Sequence, residues 1–453
     1  MTQTFRIGNI ENSNEYEELI RMFLPPSAFE ISKDGLPLAA SKDEIKRVLY
    51  TMLSEETGHT LDWGILTGVK PLKLYDKLVR EYGSVEAAEQ RLADFYLLSP
   101  VKIHLLHEIY SRQQQVLSLP RKGDVGVYLG IPFCPTRCAY CSFTSNPASP
   151  QDIKKYLEAL NREICYVSEE MTKTGMQAES IYIGGGTPTT LLPEQLAALL
   201  SQLKRSLPHR VDAEWTVEAG RPDTLTVEMA QVLAEAKVRR ISINPQTMNP
   251  LTLERIGRAH DVASVYEAYQ TARKVGIPII NTDLIAGLPG ETAADFTATL
   301  DAIYALSPEN ITVHTLSVKK GSRLRDENAE LCYNEDGRAA NMLCGLTERM
   351  KENGYSPYYI YRQKQMLDNL ENCGYTKPGS ACVYNIRIME ERQTIVAMGA
   401  GGSSKVYFPS EDRIERVFNV SNWEIYCDRI EEMLARKSHG LFMPLSFHSE
   451  ISQ

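Results

Sequence analysis

The sequence predicts an α/β chain: a partial, open (β/α)6 barrel, preceded by a helix-rich N-terminal extension and followed by a smaller α+β C-terminal domain. Three observations carry that expectation. Between about residues 125 and 320, strand-length apolar runs alternate six times with amphipathic helical stretches, the pattern of βαβ units in a parallel sheet with right-handed crossovers. A chain of 453 residues has room for two or three domains and a large core. Its 43 % apolar and 24 % charged residues are those of ordered globular protein. The expected partition is 1–120 for the N-terminal domain, 121–325 for the barrel and 326–453 for the C-terminal domain.

In chain order, Ser41 to Glu44 has the form of a capping box before the helical pattern Ile45 to Leu53. Val85 to Leu97 and Pro100 to Leu117 also read as helices. The six barrel strands are expected at Gly126–Ile131, Ser180–Ile183, Glu214–Glu218, Arg240–Asn244, Ile279–Ile285 and Ile311–Leu316. The helices between them are expected at Asp152–Thr172, Pro193–Leu207, Val227–Ala236, Ser264–Val275 and Ala293–Leu306. By analogy with closed barrels, functional groups belong at the C-terminal strand ends. Beyond the barrel, Gly337 to Asn353 reads as helix, Tyr355 to Tyr361 as a tyrosine-rich core or interface segment, and Gly374 to Ser380 as a turn. Met398 to Ser404 is a flexible Gly-rich turn without an evident role.

A net charge of -9 argues against nucleic acid as the main partner. The N-terminus shows no secretory signal, and no apolar stretch reaches the length of a membrane span. Nine cysteines are too sparse for a disulfide framework, so a reducing cytoplasm is expected, where clustered cysteines read as metal ligands.

Three of them cluster. Cys134, Cys138 and Cys141 follow the first strand with C-x3-C-x2-C spacing, in a loop stiffened by Pro132 and Pro135. Three thiolates can hold three irons of a four-iron cluster and leave the fourth open for chemistry, whereas electron-transfer clusters are usually closed by four. A structural zinc site is the alternative, but it wants a fourth ligand. Gly184-Gly185-Gly186-Thr187 follows the second strand, where absent Cβ atoms let a ligand approach the backbone. Glu218, Gln246 and Asp283 sit at or near the ends of the third, fourth and fifth strands, and Arg258 is a partner for Asp283 or for a ligand carboxylate. His260 alone reads as an ordinary surface or capped histidine. Cys165, Cys332, Cys344, Cys373, Cys382 and Cys427 are scattered singly and read as structural.

The cysteine triplet, the GGGTPT turn and the six β/α units resemble the radical S-adenosylmethionine superfamily. The wording of Val127 to Cys134, Gly184 to Thr189, Gly257 to His260 and Asp283 to Pro289 resembles the oxygen-independent coproporphyrinogen III oxidase family over about two thirds of the chain. Asn369 to Gly379 and Met398 to Gly402 look like its coproporphyrinogen dehydrogenase HemZ branch. The resemblance implies a [4Fe-4S] cluster on Cys134, Cys138 and Cys141, with S-adenosylmethionine on its open iron. Tyr128 falls near the sulfonium and Tyr140 fills the aromatic slot before the last cysteine. Gly185, Gly186, Thr187, Glu218, Gln246, Arg258 and Asp283 fall on further cofactor contacts. The implied reaction is oxidative decarboxylation of two coproporphyrinogen III propionates to vinyls, giving protoporphyrinogen IX in haem biosynthesis. The catalytic radical is the cofactor's, and an external electron donor and acceptor are needed. Haem chaperones of the same family are the alternative, with a radical enzyme on another tetrapyrrole as a third reading. The chaperones' His-Asn-x-x-Tyr-Trp motif is replaced here by Tyr384-Asn-Ile-Arg-Ile-Met389. The N-terminal segment also departs from the short leader of the well-known bacterial oxidase.

Overall fold

The structure, a computed structural model, describes residues 3–8, 14–37, 41–68, 70–116, 120–142, 147–319, 321–327 and 337–445. Leu117 and Cys332 lie outside these residues. The N-terminal part starts with β1 (Gln3–Gly8), α1 (Asn14–Arg21) and β2 (Phe29–Pro37). β1 and β2 pair in parallel, so this part is not only helical. Both strands are short, and only a few side chains (Phe5, Ile7, Phe29) reach the small core under α1; that leaves too little pattern to read. α2 (Lys42–Thr57) opens on the expected capping box: Ser41 N–H donates to Glu44 Oε2 at 2.7 Å and Glu44 N–H to Ser41 Oγ at 3.3 Å. α3 (Pro71–Tyr82), α4 (Val85–Asp94) and α5 (Pro100–Val116) follow.

The barrel strands are β3 (Asp124–Ile131), β4 (Gln177–Gly185), β5 (His209–Glu218), β6 (Arg240–Ser242), β7 (Ile279–Ala286) and β8 (Asn310–Thr315). They neighbour one another in sequence order, all parallel. α6 (Pro150–Lys173), α7 (Pro193–Ser206), α8 (Val227–Glu235), α9 (Pro250–Arg255), α10 (Val262–Lys274) and α11 (Ala293–Leu306) connect them. β6 ends at Ser242, two residues before the expected Asn244. Gln246 there takes φ +70°, and its N–H bonds to Asp283 O at 3.1 Å. Alternation explains the layers. Val127, Leu129, Ile181, Ile183 and Val217 face the core under the helices, while Tyr128, Tyr182 and Glu218 face inward.

The C-terminal part carries α12 (Arg323–Glu327), α13 (Arg338–Leu343), α14 (Leu346–Glu352), β9 (Ser356–Tyr361), β10 (Asn372–Thr376), α15 (Val383–Glu390), β11 (Ile395–Met398), β12 (Ser403–Phe408), β13 (Arg413–Phe418), α16 (Trp423–Asp428) and α17 (Ile430–Lys437). The helix expected over 337–353 breaks at Cys344-Gly345, where Gly345 takes φ +66°. The turn expected at 374–380 begins only at Lys377, because Asn372–Thr376 is the strand that pairs antiparallel with β8. The C-terminal strands extend the same sheet at both edges, in the order β13-β12-β11-β3-β4-β5-β6-β7-β8-β10-β9. The result is an open arc, and α15 lies against β3, β4 and β9. Trp63, Tyr75 and Leu106 share a core with Leu284, Phe296 and Val313, so α3–α5 pack on the arc's later half. No helix among the described residues is long and apolar enough to cross a membrane.

Candidate active site

The C-terminal ends of β3 to β8 open onto a cavity of about 580 Å³, also walled by β9, α15 and the turn after β11. Every site residue expected from the sequence lines it: Tyr128, Cys134, Cys138, Tyr140, Cys141, Gly185, Gly186, Thr187, Glu218, Gln246, Arg258 and Asp283.

The cysteine loop leaves β3 through buried Pro132 and Phe133. The Phe133 ring packs edge-on against Tyr156 and Trp423, with centroids 5.2 and 5.7 Å away. Ala139 N–H donates to Ile256 O at 2.9 Å, and Leu324 N–H to Ala139 O at 3.0 Å. Cys138 is buried; Cys134 and Cys141 are half-buried. Cys134 Sγ lies 3.3 Å from Thr187 Oγ1. Arg221 donates from one Nη to Cys138 Sγ at 3.3 Å and from the other to Thr136 Oγ1 at 2.7 Å.

The Gly-rich turn is built for close approach. A Cβ on Gly186 would sit 2.4 Å from the Phe133 carbonyl oxygen, and one on Gly184 would sit 2.8 Å from the Glu218 carboxyl. Gly186 N–H instead donates to Ile131 O at 2.8 Å and Thr187 N–H to Phe133 O at 2.7 Å. These bonds lock the turn to the cysteine loop, so three glycines are needed for packing as well as access.

Two carboxylates face the interior with opposite electrostatics. Burial pushes the Glu218 carboxyl up to about 7; the nearby Asp283 carboxylate adds to this, against the bond from Tyr182. Tyr182 Oη–H donates to Glu218 at 2.7 Å. Burial also acts upward on Asp283, but His314, Asn281 and Thr312 outweigh it and hold the carboxyl below its usual range. His314 Nε2 is 3.7 Å from Asp283, and its Nδ1 lies 3.2 Å from Tyr361 Oη. Asn281 donates to Asp283 at 2.8 Å. Arg258 does not pair with Asp283. It donates to Gly220 O at 3.1 Å and Tyr140 Oη at 3.0 Å.

Sequence reasoning missed Tyr182, Arg221, His314, Tyr359 and Tyr361, all of which line the cavity. Tyr182 and His314 occupy inward positions of β4 and β8, and inward parity was the available signal. Tyr355 and Tyr358 are core, as expected for 355–361, but Tyr359 and Tyr361 also border the cavity. Tyr384 stacks on Tyr182 at 4.7 Å and on Tyr128 at 6.4 Å. His260 is buried rather than on the surface, and neither ring nitrogen has a hydrogen-bond partner. Burial, then the Arg258 charge, pushes its pKa down to about 4, so it stands neutral.

The donor set suits a polynuclear iron–sulfur group with a polar companion. Three thiols line one cavity, yet among the described residues no group of three or more His, Cys, Asp or Glu converges on a single metal ion. Zinc needs such convergence; a cluster takes one sulfur per iron. Gln246 Oε1 and Arg258 Nε are buried without a hydrogen-bond partner, on residues that line the same cavity. Buried polar atoms left in this way are fitted to a ligand, and the left-handed backbone of Gln246 is the kind of strain kept at functional sites.

Fold, cysteine loop and cavity together define a radical S-adenosylmethionine protein, and the profile of the Radical SAM superfamily matches residues 128–303. Members use a [4Fe-4S] cluster and S-adenosylmethionine, which are therefore this chain's cofactors. The chain is 41 % identical over 403 residues to the oxygen-independent coproporphyrinogen-III oxidase-like protein HemZ of Bacillus subtilis, covering 87 % of this chain and 80 % of that one. It is 38 % identical over 309 residues to the heme chaperone HemW of the same organism, covering 67 % and 76 %. Coproporphyrinogen III oxidase HemN from Escherichia coli shares the fold, with a TM-score of 0.56 at 21 % identity, over 72 % of this chain and 73 % of that one. The chain belongs to the oxygen-independent coproporphyrinogen-III oxidase-like family of radical SAM proteins.

Proposed function

We propose that the protein catalyses oxygen-independent oxidative decarboxylation of coproporphyrinogen III, turning two propionates into vinyls to give protoporphyrinogen IX. Convergence of the twelve expected positions on one cavity carries this reading. Each propionate loses a hydrogen atom, an electron and carbon dioxide. When bound, the cluster and S-adenosylmethionine supply reductive cleavage of a sulfonium and abstraction of that hydrogen atom. Cys134, Cys138 and Cys141 hold the cluster and leave one iron open. Arg258 Nε and Gln246 Oε1 take polar groups of S-adenosylmethionine, and Asp283, held ionised, accepts from its hydroxyls. Glu218, whose carboxyl lies against Gly184, would take its amino group. Tyr128, Tyr182 and Tyr384 form a stacked wall that keeps water from the reacting carbon. Lys319 lines the cavity on the Cys141 side, half-buried, and its ammonium makes no hydrogen bond or ion pair among the described residues. A cation there suits a substrate propionate. A separate one-electron donor and acceptor complete the balance.

The identity with HemW supports a second reading, haem delivery by the same fold. Against it, Tyr384 stands where the chaperone motif has histidine, and it is buried in the tyrosine stack. Anaerobic incubation of reconstituted protein with coproporphyrinogen III, S-adenosylmethionine and a reductant tests the proposal. Vinyl product with release of carbon dioxide is expected. Cofactor cleavage without vinyl product refutes the substrate, and stoichiometric haem binding in its place supports delivery.

A further inference from the structure

We infer that Arg221 sets the reduction potential of the cluster by holding a fixed positive charge against the sulfur of Cys138. The inference rests on the reading of Cys138 as a cluster ligand. Arg221 follows β5 and is only 3 % exposed. Its guanidinium is clamped on three sides: to Cys138 Sγ at 3.3 Å, to Thr136 Oγ1 at 2.7 Å and to Asp223 at 3.4 Å. Thr136 belongs to the cysteine loop itself, so the clamp ties the end of the third barrel strand to the metal-binding turn. The planar fork of arginine presents separate N–H groups to both partners; a lysine ammonium presents a point charge.

The charge balance gives the direction of the effect. A cluster held by thiolates becomes more negative when it takes an electron, so a cation touching one thiolate stabilises the reduced form more than the oxidised form. Burial strengthens that preference, because little water screens it. Asp223 opposes it weakly: its carboxylate sits at Nε, away from the sulfur, and is partly exposed. Hydrogen bonds and charge at cluster sulfurs are established levers on potential. Splitting a sulfonium needs the reduced cluster, so Arg221 acts on electron entry through the Cys138 sulfur. It is a positioning and tuning residue.

The test is a redox titration, followed by electron paramagnetic resonance, of anaerobically reconstituted full-length protein without S-adenosylmethionine or substrate. Arg221→Gln should lower the midpoint by about 59 mV or more, a tenfold change in the one-electron equilibrium constant. Arg221→Lys should recover at least half of that shift. Thr136→Val, which loosens the clamp and keeps the charge, should give a smaller downward shift. A wild-type midpoint in Arg221→Gln, at wild-type iron content, overturns the inference. If Arg221→Gln holds no cluster, Thr136→Val decides, and a wild-type midpoint there overturns it. A wild-type protein that assembles no cluster refutes the proposed function itself, which separates the two failures.

Discussion

Replacing Lys437 with methionine strands a carboxylate in the core. Lys437 and Glu163 are both fully buried, with Nζ 2.8 Å from Glu163 Oε1 and 2.7 Å from Asn419 Oδ1. Glu163 also accepts from Gly399 N–H at 2.7 Å, Tyr426 Oη–H at 2.6 Å and Asn419 Nδ2 at 2.8 Å. Methionine fills the lysine stem's volume, so the main loss is the charge. Removing one partner of a buried pair costs about 3–5 kcal/mol. The three donors left to Glu163 place Lys437→Met at the low end, about 3 kcal/mol. The Glu163→Gln/Lys437→Met double variant should recover about 2 kcal/mol relative to additivity.

Urea denaturation of the four proteins of this cycle is the assay. In the wild type, burial acts upward on Glu163, but the Lys437 charge and the surrounding bonds prevail and keep it below the usual carboxylate range. Such a depressed acid contributes stability above its unfolded pKa and loses it as pH falls through the folded one. Without Lys437 burial prevails, the folded pKa rises above the ordinary 4.5, and the variant's deficit shrinks as pH falls from alkaline toward that value. Additive single losses, or a deficit that does not change with pH, refute the argument that charge is what is lost.

Three further outcomes follow from the site. Alanine at Cys134, Cys138 or Cys141 should abolish bound iron and sulfide, measured chemically and by absorbance, while Cys373→Ala should retain both. Glu218→Gln should stabilise the cofactor-free protein at high pH: Glu218 is raised from 4.5 to about 7, so the folded wild type holds the extra proton in that window and loses stability as pH rises through it. The gain at about pH 8 should be ~1–3 kcal/mol by chemical denaturation, and it should vanish near pH 4. Gly186→Ala drives a Cβ into the Phe133 backbone, which should cost about 1–3 kcal/mol in a thermal melt and weaken S-adenosylmethionine binding in calorimetry.

Most of the barrel was legible because its signals are local. Each strand is a short apolar run, and helices such as α6 and α11 begin at capping boxes on Ser149 and Thr292. The twelve site positions were legible because they sit in distinctive wording, within strands (Tyr128, Asp283), at strand ends (Gly185, Glu218) or in the turns that follow. What stayed hidden depends on distant pairing. β11 joins the sheet beside β3, about 270 residues earlier in the chain, and nothing around Ile395 announces that neighbour. Tyr384 meets Tyr128 and Tyr182 only because α15 is laid against β3 and β4. His260 read as a surface or capped residue because nothing beside it in sequence announces its burial, and Asp223, 3.9 Å from its Nδ1, comes from the loop after β5.

The hidden elements also cover what the barrel strands leave open. An open arc exposes two sheet edges and an unfilled interior, each of which needs cover. Here the same segment provides all three: β10 and β9 extend one edge, β11 to β13 the other, and α15 fills the space between. The Gly399–Gly402 turn that follows β11 is pinned from below by Glu163 and Tyr156; Tyr156 Oη–H donates to Gly130 O at 2.6 Å and accepts from Ala400 N–H at 3.0 Å. The turn that read as flexible is thus a fixed rim of the cavity, tied to the strand that launches the cysteine loop. The cavity is lined on one half from β3 to β8 and on the other, with Tyr359, Tyr361, Asn385 and Met389, from β9 and α15. Relatives that keep the first half and alter the second can share the cofactor and differ in what they do with a tetrapyrrole. Differences among them should therefore concentrate in β9 and α15.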